Sequence, residues 1–139
     1  MSHTYPLSQI DQAAQWLLGQ IGSARVICFQ GEMGAGKTTL IQAICRQKGV
    51  EGSFGSPTYP IIHEYGLATG DAVVYHMDFY RLSGVDEAER SGVGEALHSG
   101  ALCLVEWPER VPEMLSSDAV WVQIHVVDTD SRSLQLLNK

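Results

Sequence analysis

"ICFQGEMGAGKTTLIQAIC", residues 27–45, changes character twice in nineteen residues. Its start lies in the short apolar run "ARVICFQ" (24–30), which reads as a strand buried on both faces. Its end lies in "KTTLIQAICRQKG" (37–49), where Leu40, Ile41, Ile44 and Cys45 form one helical stripe that stops at Gly49. Between the two, Gly31, Gly34 and Gly36 leave the backbone nearly bare, with Lys37 and Thr38 directly after.

The segment "GEMGAGKT" satisfies G-x-x-x-x-G-K-[ST]. A loop that turns its amide N–H groups inward around a triphosphate needs backbone angles open mainly to glycine. The helix that follows offers unsatisfied N–H groups and a partial positive charge. Lys37 is a mobile point charge for the β and γ oxygens, the Thr38 hydroxyl suits Mg²⁺, and Thr39 is placed to bond an α-phosphate oxygen. Gly31, Glu32, Met33, Gly34, Ala35, Gly36, Lys37, Thr38 and Thr39 therefore form the candidate cradle for a nucleotide polyphosphate. Binding by oriented amides, one lysine and a metal ion does not require a basic protein.

Outward from this core, "SQIDQAAQWLLGQI" (8–21) spaces its apolar residues as an amphipathic helix with Ser8 as N-cap. "SPTYPIIHEY" (56–65) is extended, and "AVVYHMD" (72–78) and "ALCLVEW" (101–107) are strands. The acidic stretch between them carries short helical pieces interrupted by Gly92 and Gly94, and "PERVPEML" is a brief helix opened by Pro108. "AVWVQIHVVD" (119–128) alternates Val120, Val122, Ile124 and Val126 against a more polar face, and "SLQLLN" is its hairpin partner. Strands alternating with helices predict a single α/β domain over residues 1–139. Its sheet is P-loop NTPase-like, mainly parallel and flanked by helices, with a C-terminal antiparallel hairpin.

With 139 residues, nine Lys+Arg and sixteen Asp+Glu, the net charge is −7. That balance excludes a broad basic face for nucleic acid, so any service to RNA passes through a partner. Cys28, Cys45 and Cys103 lie in apolar or helical stretches without a CxxC and read as buried free thiols. The amino-terminal segment has no leader-like pattern and no apolar run is long enough to span a bilayer, so the expectation is a soluble, cytoplasmic protein.

Nucleotide chemistry also needs acids at the carboxyl ends of strands beside the glycine loop. Asp78 follows "VVYHM" and Glu106 follows "ALCLV". Either one suits a metal or a water molecule, and which of them orients water stays open. Arg81 is open to two readings, a phosphate contact or a pair with Asp78. His76, on the same strand face as Asp78, reads as a packing or supporting residue rather than a catalytic one. Ser56 and Thr58 are candidates to sense a terminal phosphate. Trp107, directly after the acid, suits a core position or a place beside the nucleotide.

Taken together, "GEMGAGKTT", "SPTYPIIHEY", "HMDFYRL" and "EWPER", in this order, resemble the TsaE (YjeE) family over nearly the whole chain. The resemblance implies a small ATPase of weak intrinsic turnover that works with TsaB and TsaD in threonylcarbamoyladenosine modification of tRNA at adenosine 37; tRNA is served indirectly through these partners, and whether it is also touched directly stays open. It implies ATP and Mg²⁺ as ligands, with Thr38 and Glu106 on the metal. It further implies that Asp78 is needed for hydrolysis, that Trp107 lies near the nucleotide, and that Arg132 borders it. Lys37, Asp78 and Glu106 are the candidate catalytic residues; Thr38, Glu106 and Asp78 are the candidate metal ligands.

Two other functions share the glycine loop. A small-molecule kinase would add an arginine-rich lid, for which nine basic residues leave little. A GTP-dependent switch would carry an N-K-x-D segment, which does not occur here.

Overall fold

The computed structural model describes residues 2–50, 61–67 and 73–137. Each apolar run anticipated as a strand is one: β2 (Val26–Gln30), β4 (Val73–Asp78), β5 (Leu102–Glu106) and β6 (Val120–Asp128). They lie side by side as β6-β2-β5-β4, with parallel pairing throughout. Antiparallel strands flank this core. On one side β7 (Ser131–Leu137) returns from β6 as the expected hairpin and β1 (Ser2–Pro6) pairs with β7. On the other, β3 (Ile62–Gly66) pairs with β4.

Alternation along the strands divides the core into two layers. Ile27, Phe29, Leu104, Val122 and Ile124 face α1 (Ile10–Ile21) and α2 (Lys37–Gln47), meeting Leu17, Leu40, Ile41 and Ile44. Cys28, Met77, Cys103, Val105 and Trp121 face α3 (Val85–Arg90), α4 (Val93–Leu97) and the turns after β5. The three cysteines are free and buried, as anticipated. No helix of the described residues is long and apolar enough to cross a membrane.

Several local expectations are corrected. The amino-terminal segment, which lacks an alternating pattern, is a strand because β7 offers it an edge. Ser8 does not cap α1: a 3-10 turn, Leu7–Gln9, precedes the helix, and Gln9 stands at the cap with no side-chain bond. Gly92, at φ 86°, separates α3 from α4, but Gly94 lies inside α4. "PERVPEML" is two 3-10 turns, Pro108–Arg110 and Pro112–Met114, each begun by its own proline. In β6, Trp121 is buried because it packs into the layer of Cys28, Met77 and Val105, and Val126 is exposed with the rest of the strand's end from His125 on. Ser56 and Thr58 lie outside the described residues.

Candidate functional site

The step from β2 to α2 places the glycine loop at the carboxyl end of the parallel strands. Gly34 (φ 84°) and Gly36 (φ 104°) hold left-handed backbone angles. Gly31 instead answers to space, because a Cβ there would come within 3.1 Å of the Ile124 carbonyl oxygen. Gly36 is the N-cap of α2 and no side chain caps it; the first helical bond runs from Leu40 N–H to Gly36 C=O at 3.0 Å. The first-turn amides therefore remain for a ligand.

The cleft at this terminus has a volume of about 360 Å³ and is lined by Met33, Gly34, Gly36, Lys37, Thr38, Thr39, Asp78, Glu106 and Trp107. A larger hollow of about 690 Å³, lined in part by Arg25, Val26, His98 and Val120, opens at the far ends of β2 and β6. It has no glycine loop, and Asp118 is its one acid among the described residues, so chemistry singles out the smaller cleft.

Strand register brings the two acids together. Asp78 and Glu106 are direct partners across β4 and β5. Glu106 is buried, and both of its oxygens accept from the Thr38 hydroxyl at 3.0 Å. His76 Nε2 lies 2.7 Å from Glu106 Oε2. Asp78 opens toward the cleft and accepts the Tyr80 N–H at 2.9 Å through Oδ1. Crowding by protein atoms pushes the Asp78 carboxyl up; the Tyr80 N–H opposes this, Glu106 adds to it, and His76 and Lys37 oppose it.

Lys37 is buried, donates to Gly31 C=O at 2.6 Å, and sits 3.5 Å from the centre of the Trp107 ring. Burial lowers its pKa, and Glu106, Glu109 and Asp78 pull it back up. Trp107 reaches this place because it has a left-handed backbone, φ 56°, unlike any other non-glycine residue described. Directly after it, Pro108 begins a 3-10 turn. Tyr80 packs on the indole at 5.0 Å between ring centres, and Arg110 donates to Tyr80 C=O at 2.9 Å.

A sequence model described as "Threonylcarbamoyl adenosine biosynthesis protein TsaE" matches residues 5–134, which include every residue of the cleft. The chain belongs to the TsaE family. Similar curated proteins are each named "tRNA threonylcarbamoyladenosine biosynthesis protein TsaE". That of Haemophilus influenzae is 34% identical over 114 residues, 82% of this chain and 70% of the relative. That of Synechocystis is 39% identical over 114 residues, covering 79% and 71%. That of Aquifex aeolicus is 30% identical over 138 residues, covering 98% and 90%. Among solved structures, the crystal structure of Bacillus subtilis YdiB superposes with a TM-score of 0.70 at 25% identity, covering 98% of this chain and 84% of that one. Membership of the TsaE family ties the chain to tRNA threonylcarbamoyladenosine biosynthesis.

Within this TsaE family member, Lys37, Thr38, Thr39, Asp78, Glu106 and Trp107 converge on the cleft with Met33, Gly34 and Gly36. Gly31 and Ala35 are buried behind the loop, and Glu32 is exposed beside it. Arg132 supports the loop from behind, its Nε donating to Ala35 C=O at 2.9 Å and Nη1 to the carbonyls of Asp128 and Ser131. Arg81 is exposed in the turn after Tyr80. Sequence reasoning missed Tyr65, whose hydroxyl lies 3.4 Å from His76 Nδ1, and left the contact of His76 with Glu106 unspecified. The available signal was strand parity: His76 and Glu106 are both the polar end of an alternating apolar face.

Proposed function

We propose that this chain binds ATP with Mg²⁺ in the cleft and hydrolyses it slowly. It does so in the service of tRNA threonylcarbamoyladenosine modification, acting on proteins of the TsaB and TsaD kind. The observation that carries this reading is the Thr38 hydroxyl in contact with both Glu106 oxygens at 3.0 Å, beside a buried Lys37.

Thr38 and Glu106 are hard oxygen donors, and Asp78 stands next to Glu106 in register. Among the described residues, no three or more His, Cys, Asp or Glu side chains form a metal site of their own. The donor set thus fits a cation that takes its other ligands from phosphate and water, as Mg²⁺ does. Thr38 and Glu106 would hold the Mg²⁺, with Asp78 beside them, and the ion would offset negative charge developing on the phosphate.

The chain's own groups do the remainder. Free amides at the start of α2 bind phosphate oxygens. An ammonium has three donors; Gly31 C=O takes one and the Trp107 ring faces part of the rest, which leaves Lys37 a donor for the ligand. Asp78 retains acceptor capacity on the cleft side to orient a water molecule. Trp107 covers the ammonium and keeps solvent from it, which strengthens its field.

Equilibrium titration and phosphate release test this reading. The expected result is Mg²⁺-dependent ATP binding with slow turnover that rises when TsaB and TsaD are added. Lys37→Ala is expected to lower turnover about 100-fold or more. Normal turnover by that variant refutes the site. Stoichiometric transfer of the phosphoryl group to a small acceptor refutes the activity.

A further inference from the structure

His76 is buried at the middle of the β4–β5 pairing, yet it is not part of the cleft lining. Its Nε2 lies 2.7 Å from Glu106 Oε2. A carboxylate only accepts, so this ring nitrogen carries the proton and donates it. In a neutral imidazole Nδ1 is the acceptor, and the Tyr65 hydroxyl, 3.4 Å away, is the group that faces it.

The imidazole is walled in from the edge strand. His63 is the direct partner of His76 across β3 and β4. Its ring lies 5.9 Å from that of His76, and 6.0 Å from that of Tyr65 in a stacked arrangement. Tyr65 itself tilts against His76 at 6.2 Å. The two β3 rings, His63 and Tyr65, thus hold the His76 imidazole with Nε2 aimed at Glu106.

Glu106 needs this support. Among the described residues, two side chains bond its carboxylate, Thr38 and His76. The Thr38 hydroxyl is the group expected to turn toward a metal ion, which would leave His76 as the remaining side-chain contact among the described residues. Groups that hold a ligand carboxylate from behind orient it and set its affinity for the metal.

We propose that His76 is a positioning residue for Glu106: its Nε2–H fixes the carboxylate for Mg²⁺, and the rings of His63 and Tyr65 on the edge strand lock the imidazole in that role. This rests on the reading of the cleft as a Mg²⁺–ATP site. His76 acts through Glu106 and touches neither nucleotide nor reacting atoms.

Two amide substitutions separate the role from simple packing. A glutamine places its side-chain nitrogen near the position of Nε2, while an asparagine reaches only to that of Nδ1. His76→Gln is expected to keep the Mg²⁺ concentration for half-maximal ATP binding within about threefold of the wild type. His76→Asn is expected to raise it about tenfold or more, in the range typical of lost supporting contacts. ATP binding in EDTA is expected to stay equal in all three proteins, whereas a general structural lesion would lower it. In the ligand-free protein, ¹⁵N-histidine spectra are expected to show His76 protonated on Nε2 with a slowly exchanging ring proton.

Equal Mg²⁺ dependence in the two variants, or an Nδ1-protonated His76, overturns the proposal. Wild-type protein that binds ATP without regard to Mg²⁺ instead overturns the functional reading, and the ring-proton spectrum still decides the geometry.

Discussion

A Cβ on Gly31 would meet the Ile124 carbonyl oxygen at 3.1 Å and the Ala35 Cβ at 3.3 Å, whereas one on Gly36 would meet nothing within 4 Å. The first glycine is required by close approach and the second by its φ of 104°. Gly31→Ala is therefore expected to destabilise by about 1–3 kcal/mol through overpacking against a backbone atom. Gly36→Ala should lose about 1–2 kcal/mol through its left-handed angle. Urea unfolding of both variants measures this. A second substitution, Ile124→Ala, is expected not to relieve the Gly31 variant, since alanine keeps both the carbonyl oxygen and the Cβ that the new methyl would meet. The motif spacing announced both glycines, but which constraint acts at each was invisible until β6 was seen behind the loop.

At the scale of elements, α1 is the clearest case of a helix held by its apolar face. Ala13, Ala14 and Leu17 are fully buried against the sheet and α2. The ion pair between Asp11 and Arg46 that also joins α1 to α2, at 2.9 Å, is exposed on both sides. Leu17→Ala is expected to cost about 2–5 kcal/mol, and Asp11→Asn under about 1 kcal/mol. Thermal melting at low and high salt distinguishes them, since only the second loss should fade with salt. The 3,4-spacing of α1 was legible in the sequence because each turn repeats it. The 3-10 entry at Leu7–Gln9 was not, because β1 pairs with β7 and Leu7 N–H is tied to Asp130 C=O at 2.8 Å. That tie is long-range and leaves no local trace.

For the whole molecule, the buried acids of the core set an alkaline limit. Burial pushes the Cys45 thiol up to about 12, with Arg46 opposing, and the Cys103 thiol up to about 11. Burial likewise raises Tyr5 to about 12, with Arg132 opposing. Their ordinary values are 9.0 for the thiols and 10.0 for the phenol. Between those values and the raised ones, the native state holds protons that the unfolded chain has lost, so stability falls as pH rises. The contribution of these groups is level below pH 9 and declines from there toward pH 12. Urea midpoints across pH 7–11 are expected to show this decline, made shallower in a Cys45→Ala, Cys103→Ala protein. The same burial keeps the thiols unreactive toward iodoacetamide until the protein unfolds.

By itself the sequence determined the strand–loop–helix unit around Lys37, the helices and strands with strong periodicity, and the acids that end two of those strands. These are local matters: glycine angles, a hydrophobic repeat and a motif spacing act over a few residues. Only the tertiary structure decided that β4 and β5 lie adjacent and in register, so that Asp78 meets Glu106 and His76 backs it. It alone placed β1 beside β7, and turned Trp107 over Lys37. Strand order and register come from pairing across tens of residues, where the gain is shared by the whole sheet and no short stretch of chain carries its record.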